Sequence, residues 1–387
     1  MIIAEQILTN PDVKINADLH LKTAEQLINA ISAGLASIGS SETDSKVLVE
    51  KLKQNIYAFS AAKSFTQMQY YRDAMVGDDG KILGVGSFIK KIADTGEIFN
   101  KKHLESEYEN AYYSAVMADK WDRFPDDELL QYTTVGDSRV RPSHAVLDKY
   151  TAPKSDGFWK SNYPPNGWGC RCSVVPGKES HQNNLSRQEA GRQLKDENKD
   201  TPFYNNVGLS RVIFKDNHPY FINANGKEVN LSWQQYGLPD LNKIRSEELP
   251  TYREKTRDEY HEWWKKQPKK DGTDDIIVKS ILGDVTLPSG TGKGKTSINY
   301  FKDHILKQDV ERRFEFATET KSILERPDEV WLNPKDKNVK TFLKFFEQGI
   351  IKIIVDENND AVTIYKLDND HEGALGKARK GILMHRQ

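Results

Sequence analysis

Residues 163–172, "YPPNGWGCRC", hold both cysteines of the 387-residue chain, one residue apart. A disulfide between Cys170 and Cys172 would be strained, because neighbouring Cβ atoms of an extended chain diverge. Two thiolates at this spacing can bind one soft metal ion such as zinc, which then needs two further ligands. We expect His144 and Asp137 to complete a structural zinc site. The other interpretation is that the two thiols are small buried hydrophobes.

The composition indicates a folded, highly charged protein. Its 56 basic and 57 acidic residues nearly cancel, so no general attraction to nucleic acid or membranes is expected. The chain has no apolar run of about 18 residues, and its first residues lack the pattern of a secretory signal. Two cysteines do not make a disulfide framework, which favours a reducing compartment. We therefore expect a soluble multidomain protein made in the cytosol.

The first part of the chain has the periodicity of helices. Apolar residues recur at i, i+3, i+4 and i+7 in residues 24–38, 48–59 and 104–121, which predicts amphipathic helices that pack on one another. Prolines, glycines and aromatic residues replace this periodicity over 131–176, which indicates an irregular but structured loop region. The predicted first domain is 1–180.

The rest of the chain is predicted to contain an extension and a second domain. Residues 203–235 alternate apolar and polar side chains around an Asn-Gly pair, which predicts a β-hairpin. This hairpin and a charged linker make up 181–272. A helical stretch followed by "EVWLN", "IIKIIVDE" and "AVTIYKL" predicts an α+β domain with an antiparallel sheet over 273–387. The fold class is thus multidomain α+β.

Two motifs stand in order in the loop region. The first is an Asp-x-Arg-x-Arg-x-x-His-x-x-Leu-Asp run, and the second is Pro-Pro followed by Cys-Arg-Cys. With the helix before them, they resemble the Mu-F-like head-morphogenesis (minor capsid) proteins of phages over about residues 25–180. Lys149 departs from a pattern that often has glycine after Leu-Asp. The matching residues are Asp137, Arg139, Arg141, His144, Leu147, Asp148, Pro164, Pro165, Cys170, Arg171 and Cys172.

The resemblance implies a protein of the virion, located inside the head of a phage or prophage. Its implied partners are the phage portal and capsid proteins. It implies no catalysis by this half of the chain.

The C-terminal domain resembles a second group of families. The stretch "DHILKQDVERRFEFATETKSILERPDEVWL", with "AVTIYKL" and "KARKGILMHRQ" after it, is similar to phage-borne polymorphic-toxin nucleases related to barnase, EndoU, colicin RNases and RelE. This resemblance covers about residues 298–387 and implies a metal-independent RNase. RNA is then the substrate, an immunity protein is a possible partner, and the host cytoplasm is a second location.

Such RNA cleavage needs a base, an acid and cations that stabilise the charged phosphorane. The imidazole of His304 suits proton transfer near neutral pH. Guanidinium and ammonium groups would hold the phosphate, a hydroxyl would donate to it, and an aromatic ring would stack on a base. The expected residues are His304, Arg312, Thr363, Arg379 and Lys380 for catalysis, with Tyr365 and His385 for substrate binding.

One alternative to the nuclease stays open, and a second lacks its sequence pattern. The C-terminal domain is balanced in charge, which argues against a strong field for RNA and favours a purely structural head protein with a non-catalytic binding domain. An ADP-ribosyltransferase would need an arginine, a Ser-Thr-Ser-like strand and a glutamate in order, and the sequence does not contain that pattern. Ribonuclease activity is accordingly one of two hypotheses for this domain.

Overall fold

The computed structural model divides the chain into two compact units, Met1–Val229 and Asn230–Gln387. The segment 181–272, for which the sequence predicts an extension and a linker, is therefore shared between the two units. None of the helices among the described residues is both long and apolar enough to cross a membrane. The described residues are 6–7, 10, 13–178, 183–224, 233–289, 301–307, 312–367 and 373–387.

The first unit is built on long helices, as the periodicity predicts. The first helix begins at Asn16, whose side-chain oxygen accepts a hydrogen bond from the backbone N–H of Leu19 at 2.8 Å. It packs closely on the fourth because Gly34 lacks a side chain: a Cβ there would lie 2.6 Å from the carbonyl oxygen of Tyr112. The helices are α1 Ala17–Ser37, α2 Lys46–Ala74, α3 Val85–Glu97 and α4 Leu104–Arg123, with the π-helical turn Ile98–His103 between α3 and α4.

The predicted loop region folds around a small antiparallel sheet of order β2-β1-β3. Its own apolar core includes Trp159, Tyr163 and both cysteines, and the ring of Trp121 from α4 meets that of Tyr163 at 5.0 Å. An irregular chain thus encloses a packed core. The elements are β1 Leu129–Thr133, α5 Pro142–Ala145, β2 Thr151–Pro153, α6 Trp159–Asn162 and β3 Ser173–Pro176.

The prediction of a β-hairpin over 203–235 is wrong for the described residues. Asn206 and His218 each accept a backbone N–H at the start of a short helix, and Pro219 occupies the first helical turn. These local starting signals outweigh the alternating pattern. The Asn-Gly pair lies outside the described residues. The helices are α7 Arg187–Gln193, α8 Lys195–Asn198, α9 Val207–Ser210 and α10 Pro219–Asn223.

The second unit has the predicted helices followed by an antiparallel sheet, of order β10-β6-β7-β8-β9, with a separate β4-β5 hairpin. The predicted long helix before the sheet is divided into shorter turns. The strands are β4 Ile276–Ser280, β5 Gly283–Leu287, β6 Glu329–Asn333, β7 Val339–Phe346, β8 Gly349–Val355, β9 Ala361–Leu367 and β10 Ile382–Arg386. The helices are α11 Leu241–Arg245, α12 Arg257–Lys266, α13 Phe301–Lys307, α14 Thr320–Glu325 and α15 Ala374–Ala378, with 3₁₀ turns at Trp233–Tyr236, Arg313–Glu315 and Ala317–Glu319.

Candidate metal centre

His144, Cys170 and Cys172 meet in the interior of the first unit. The Nδ1 atom of His144 lies 3.7 Å from the Sγ atom of Cys170 and 3.5 Å from that of Cys172. All three residues are buried, and their ligand atoms lie within 4.8 Å of one another. The predicted association of both cysteines with His144 is thus present in the fold.

The local sequence explains how these side chains converge. His144 sits on the single turn α5, which Pro142 starts. The loop before this turn is fixed because the carboxylate of Asp148 accepts hydrogen bonds from the backbone and hydroxyl of Thr134, at 2.8 and 3.0 Å. Cys172 directly precedes β3, and Gly169, with φ of +66°, makes the turn before Cys170.

A hydrogen bond between the two thiols shifts their pKa values in opposite directions. The bond from Cys172 holds the pKa of Cys170 well below its ordinary value, and His144 lowers it further. The same bond and burial raise the pKa of the Cys172 thiol. Burial, together with the nearby thiols, also raises the pKa of the Tyr132 hydroxyl, which lies in hydrogen-bond contact with Cys172. The cluster therefore favours a thiolate, the form that binds a metal.

The donor set fits zinc. Zn–S and Zn–N bonds of about 2.3 and 2.05 Å in a tetrahedron separate S and N by about 3.6 Å, which matches both measured separations. The Nε2 atom of His144 is buried and has no hydrogen-bond partner within the described part of the chain. A cleft of about 20 Å³ also reaches the cluster, enough for one water molecule or ion. These three side chains could hold the metal and leave a fourth position for another ligand.

Asp137 is not part of this cluster, contrary to the prediction. Its carboxylate accepts a hydrogen bond from the guanidinium of Arg171 at 2.8 Å and one from the backbone N–H of Arg139 at 3.1 Å. The bond from Arg171 lowers the pKa of this exposed carboxyl group. The motif spacing could not reveal this, because Arg171 points away from the core between two inward-facing cysteines, and its charge draws Asp137 to the surface.

Arg141, also in the first motif, holds the second motif in place. Its guanidinium donates to the carbonyl oxygen of Trp168 at 2.7 Å and lies 3.8 Å from the carboxylate of Glu197. A Cβ atom on Gly167 would lie 3.2 Å from this guanidinium. The two sequence motifs are therefore parts of a single loop assembly around the cysteines.

Lys149 occupies a position suited to glycine. Its φ of +64° is in the left-handed region, which side chains with a Cβ disfavour. Its backbone N–H donates to the carbonyl oxygen of Tyr132 at 2.8 Å, which holds the turn in this conformation. The departure from the family pattern at this residue thus leaves the turn intact and adds local strain.

Arg379, predicted to bind phosphate, is instead part of a buried ion pair with Glu329. The guanidinium donates from Nε to the carboxylate at 2.8 Å and from Nη2 at 2.5 Å, and its Nη1 donates to the carbonyl oxygen of Pro239 at 2.8 Å. The Arg379 side chain is 0% exposed. With all three nitrogens engaged, this residue cannot hold a substrate phosphate, so the predicted role is wrong.

Thr363 is likewise committed within the second unit. Its hydroxyl accepts a hydrogen bond from Arg313 at 2.6 Å, and both residues are buried. The guanidinium of Arg313 lies 4.3 Å from the ring centroid of Tyr365. The ammonium of Lys352 lies 5.4 Å from the same centroid. The sequence pattern predicts a role for Arg312, whereas Arg313 is the buried arginine of the pair. Nothing in the pattern of two adjacent arginines distinguishes the inward one.

The other predicted residues differ in their exposure and position within the second unit. Arg312 is 67% exposed and pairs with Glu315, and Lys380 is exposed. His385 lies on β10, where burial lowers its pKa. Strand β10 is four strand spacings from β9 in the sheet order, or about 19 Å. His304 is on α13, and its side chain lies outside the described residues.

The comparisons with known proteins concern the region that contains the cluster. Residues 83–175 match the family model described as Phage Mu protein F like protein. The Mu-like prophage FluMu F protein of Haemophilus influenzae is 39% identical over 64 residues, which is 16% of each chain. Protein F of Escherichia phage Mu, named for capsid assembly, is 52% identical over 60 residues, or 16% of this chain and 13% of that protein.

Residues 83–175 are thus a Mu F-like segment, and both sequence motifs lie within it. The predicted resemblance to phage head-morphogenesis proteins is confirmed for this segment. The alignments span about one-sixth or less of the length of these relatives. No solved structure matches the chain significantly.

Proposed function

We propose that this chain is a minor head protein of a phage or prophage and acts in head morphogenesis. The observation that carries the proposal is the Mu F-like segment, 83–175, whose relatives include a phage protein named for capsid assembly. Its proposed partners are the phage portal and capsid proteins, and its proposed location is the head of the virion. In this proposal the segment serves as an interaction module, because its irregular loop is fixed by a packed core.

A structural zinc ion bound by His144, Cys170 and Cys172 is part of this proposal. The support is the separation of the three ligand atoms and their burial. When bound, zinc would crosslink α5 to Cys172, the residue directly before strand β3. An irregular stretch of chain separates these two segments. The ion thus stabilises the loop assembly that the partners contact.

The test is incorporation into heads. Heads would be purified from cells that express the full chain or its Cys170→Ser/Cys172→Ser variant, and the amount of chain per head would be measured. We expect the variant to be incorporated at a small fraction of the wild-type level, while Asp137→Asn is incorporated normally. Equal incorporation of wild type and double variant would contradict the role of the cluster, and absence of the wild-type chain from heads would contradict the function.

For the second unit we favour a binding domain without catalysis. Arg379 and Thr363 are engaged in buried contacts, and β10 and β9 are at opposite edges of the sheet. A ribonuclease, with RNA as substrate, an immunity protein as partner and action in the host cytoplasm, is the competing proposal. Exposed Arg312 and Lys380 are the observation that supports it.

Expression of the full chain and its His304→Ala variant separates these proposals. Binding without catalysis predicts equal growth and intact cellular RNA in both cultures. Growth arrest with degraded RNA in the wild type alone would establish the nuclease.

A further inference from the structure

The first unit contains an open cavity of about 650 Å³ that the proposed function does not use. Its volume is in the range of pockets that bind small molecules. It lies between the π-helical turn Ile98–His103, the start of α4, the side chain of Trp168 and the short helix α10. The candidate metal ligands do not line it, so it is a separate feature.

Aromatic rings form most of its wall. Phe99 and Tyr220 stack with centroids 5.8 Å apart, and Tyr70 meets Phe99 at 5.4 Å. His218 lies 4.7 Å from Tyr220 and 6.0 Å from Trp168. Tyr70 and Trp168 are 53% and 37% exposed, so they form the mouth, while the other three rings are held in place by packing or hydrogen bonds. Such faces accept a planar ring in offset or edge-on contact.

The floor is polar but internally neutral. The ammonium of Lys63 donates to the carboxylate of Glu107 at 2.5 Å, and their side chains are 2% and 3% exposed. The Tyr220 hydroxyl bonds to Glu107 and lies 2.8 Å from the Nδ1 atom of His103. Since the buried charges compensate each other, the floor offers no counter-charge to an ionic ligand, whose desolvation would then be uncompensated.

Burial is the main influence on the pKa of both imidazoles that line the cavity. Burial lowers the pKa of His218 to about 4, and the charges of Lys63 and His103 act in the same direction. Burial, followed by Lys63, also lowers the pKa of His103. A second positive charge is thus disfavoured. No lysine or arginine lines the cavity among the residues that the structure describes, so an anion would have no partner either.

We propose that this cavity binds a neutral aromatic ring with a polar edge, such as an indole or a phenol. The ring lies against Phe99, Trp168 and Tyr220, and its polar edge meets the hydrogen-bonding groups of His103 and Ser106. The ring is carried either by a free aromatic compound or by a tryptophan or tyrosine side chain of another protein. This binding activity does not depend on the role of the chain in head assembly.

Ligand-observed NMR on the full chain tests the charge preference. Indole, benzoate and benzylamine have similar rings and differ in charge. We expect saturable binding of indole with a Kd of about 1 mM or tighter, and binding of the two ions at least about tenfold weaker. Absence of saturable indole binding, or equal binding of either ion, would overturn the proposal.

A pair of matched variants places the ligand. Ser106→Phe inserts a ring at a position that lines the cavity, whereas Glu105→Phe adds the same ring to its exposed neighbour on α4. We expect indole binding to be lost in the first and retained in the second. Should Ser106→Phe fail to fold, Trp168→Ala removes one wall at the partly exposed mouth and is expected to weaken binding about fivefold or more. Wild-type affinity in the folded variant tested would overturn the proposal.

The source of the ring is distinguished by comparing indole with a short neutral peptide that contains one tryptophan. Tighter binding of the peptide identifies a protein side chain, and tighter binding of indole identifies a free compound. Either result upholds the site, and failure of both ligands to bind overturns it.

Discussion

The guanidinium of Arg379 is bound twice by the carboxylate of Glu329, at 2.8 and 2.5 Å, at a site where both side chains are almost inaccessible. The indole N–H of Trp331 donates to the same carboxylate at 2.9 Å. This relationship links the segment after α15 to strand β6. It explains why a residue expected to act on RNA is instead part of the structure of the second unit.

Removal of one partner of this pair leaves a buried charge unpaired. We expect Arg379→Ala to lower the free energy of unfolding by about 3–5 kcal/mol, measured by urea denaturation of the full chain. Arg312→Ala is the control, because its side chain is 67% exposed in its pair with Glu315, and such pairs contribute about 1 kcal/mol or less. Equal effects of the two substitutions would show that the buried pair is not important for stability.

The left-handed backbone conformation of Lys149 indicates that a glycine at this position would stabilise the fold. Glycine adopts φ of +64° without a steric penalty, whereas lysine has a Cβ. Allowing for the greater freedom of glycine in the unfolded chain, we expect Lys149→Gly to raise the free energy of unfolding by about 0.5–1 kcal/mol. Lys149→Ala removes the charge but keeps the Cβ, so it should change little. If both variants were stabilised to the same extent, the Cβ of Lys149 would not be the source of the strain.

The buried imidazole of His218 is expected to make the stability of the first unit depend on pH. Burial lowers its pKa from 6.5 to about 4 in the folded chain. Below pH 6.5 the unfolded state therefore binds the proton first, and stability falls as the pH is lowered from about 6.5 to about 4. Above pH 6.5 the imidazole is neutral in both states and contributes no slope. The loss is about 3 kcal/mol when fully developed.

The variant His218→Asn isolates this contribution, because asparagine can replace the imidazole as acceptor for the backbone N–H of Tyr220. Urea denaturation at pH 7 and pH 4 would be compared for both chains. Wild type should lose about 3 kcal/mol more than the variant between the two values. If both chains lost the same free energy of unfolding, His218 would have an ordinary pKa in the folded state.

Much of the fold could be predicted because periodicity reports burial directly. The apolar spacing in residues 24–38, 48–59 and 104–121 coincides with α1 and its C-cap Ile38, with α2 and with α4. Strand β7, by contrast, interrupts its apolar residues with Lys340, Thr341 and Lys344 and shows neither clear period, so the sequence pattern does not assign it to helix or strand. The short helices at 207–210 and 219–223 depend on caps, which an alternating pattern conceals.

The candidate site was predictable in part. Cys170, Cys172 and His144 were identified from ligand type and spacing, and the fold brings them together. A carboxylate can bind zinc, which makes Asp137 a candidate by residue type, but the competition from Arg171 depends on side-chain direction. The same limit applies to Arg379, since its partner Glu329 is 50 residues away and meets it only through the pairing of β6 with β10.

Metal content of the purified full chain tests the zinc-bound loop most directly. Elemental analysis of wild type should find about one zinc ion per chain, retained in Asp137→Asn and lost in Cys170→Ser/Cys172→Ser. A wild-type chain that folds without zinc, or a double variant that keeps it, would contradict the proposed metal centre.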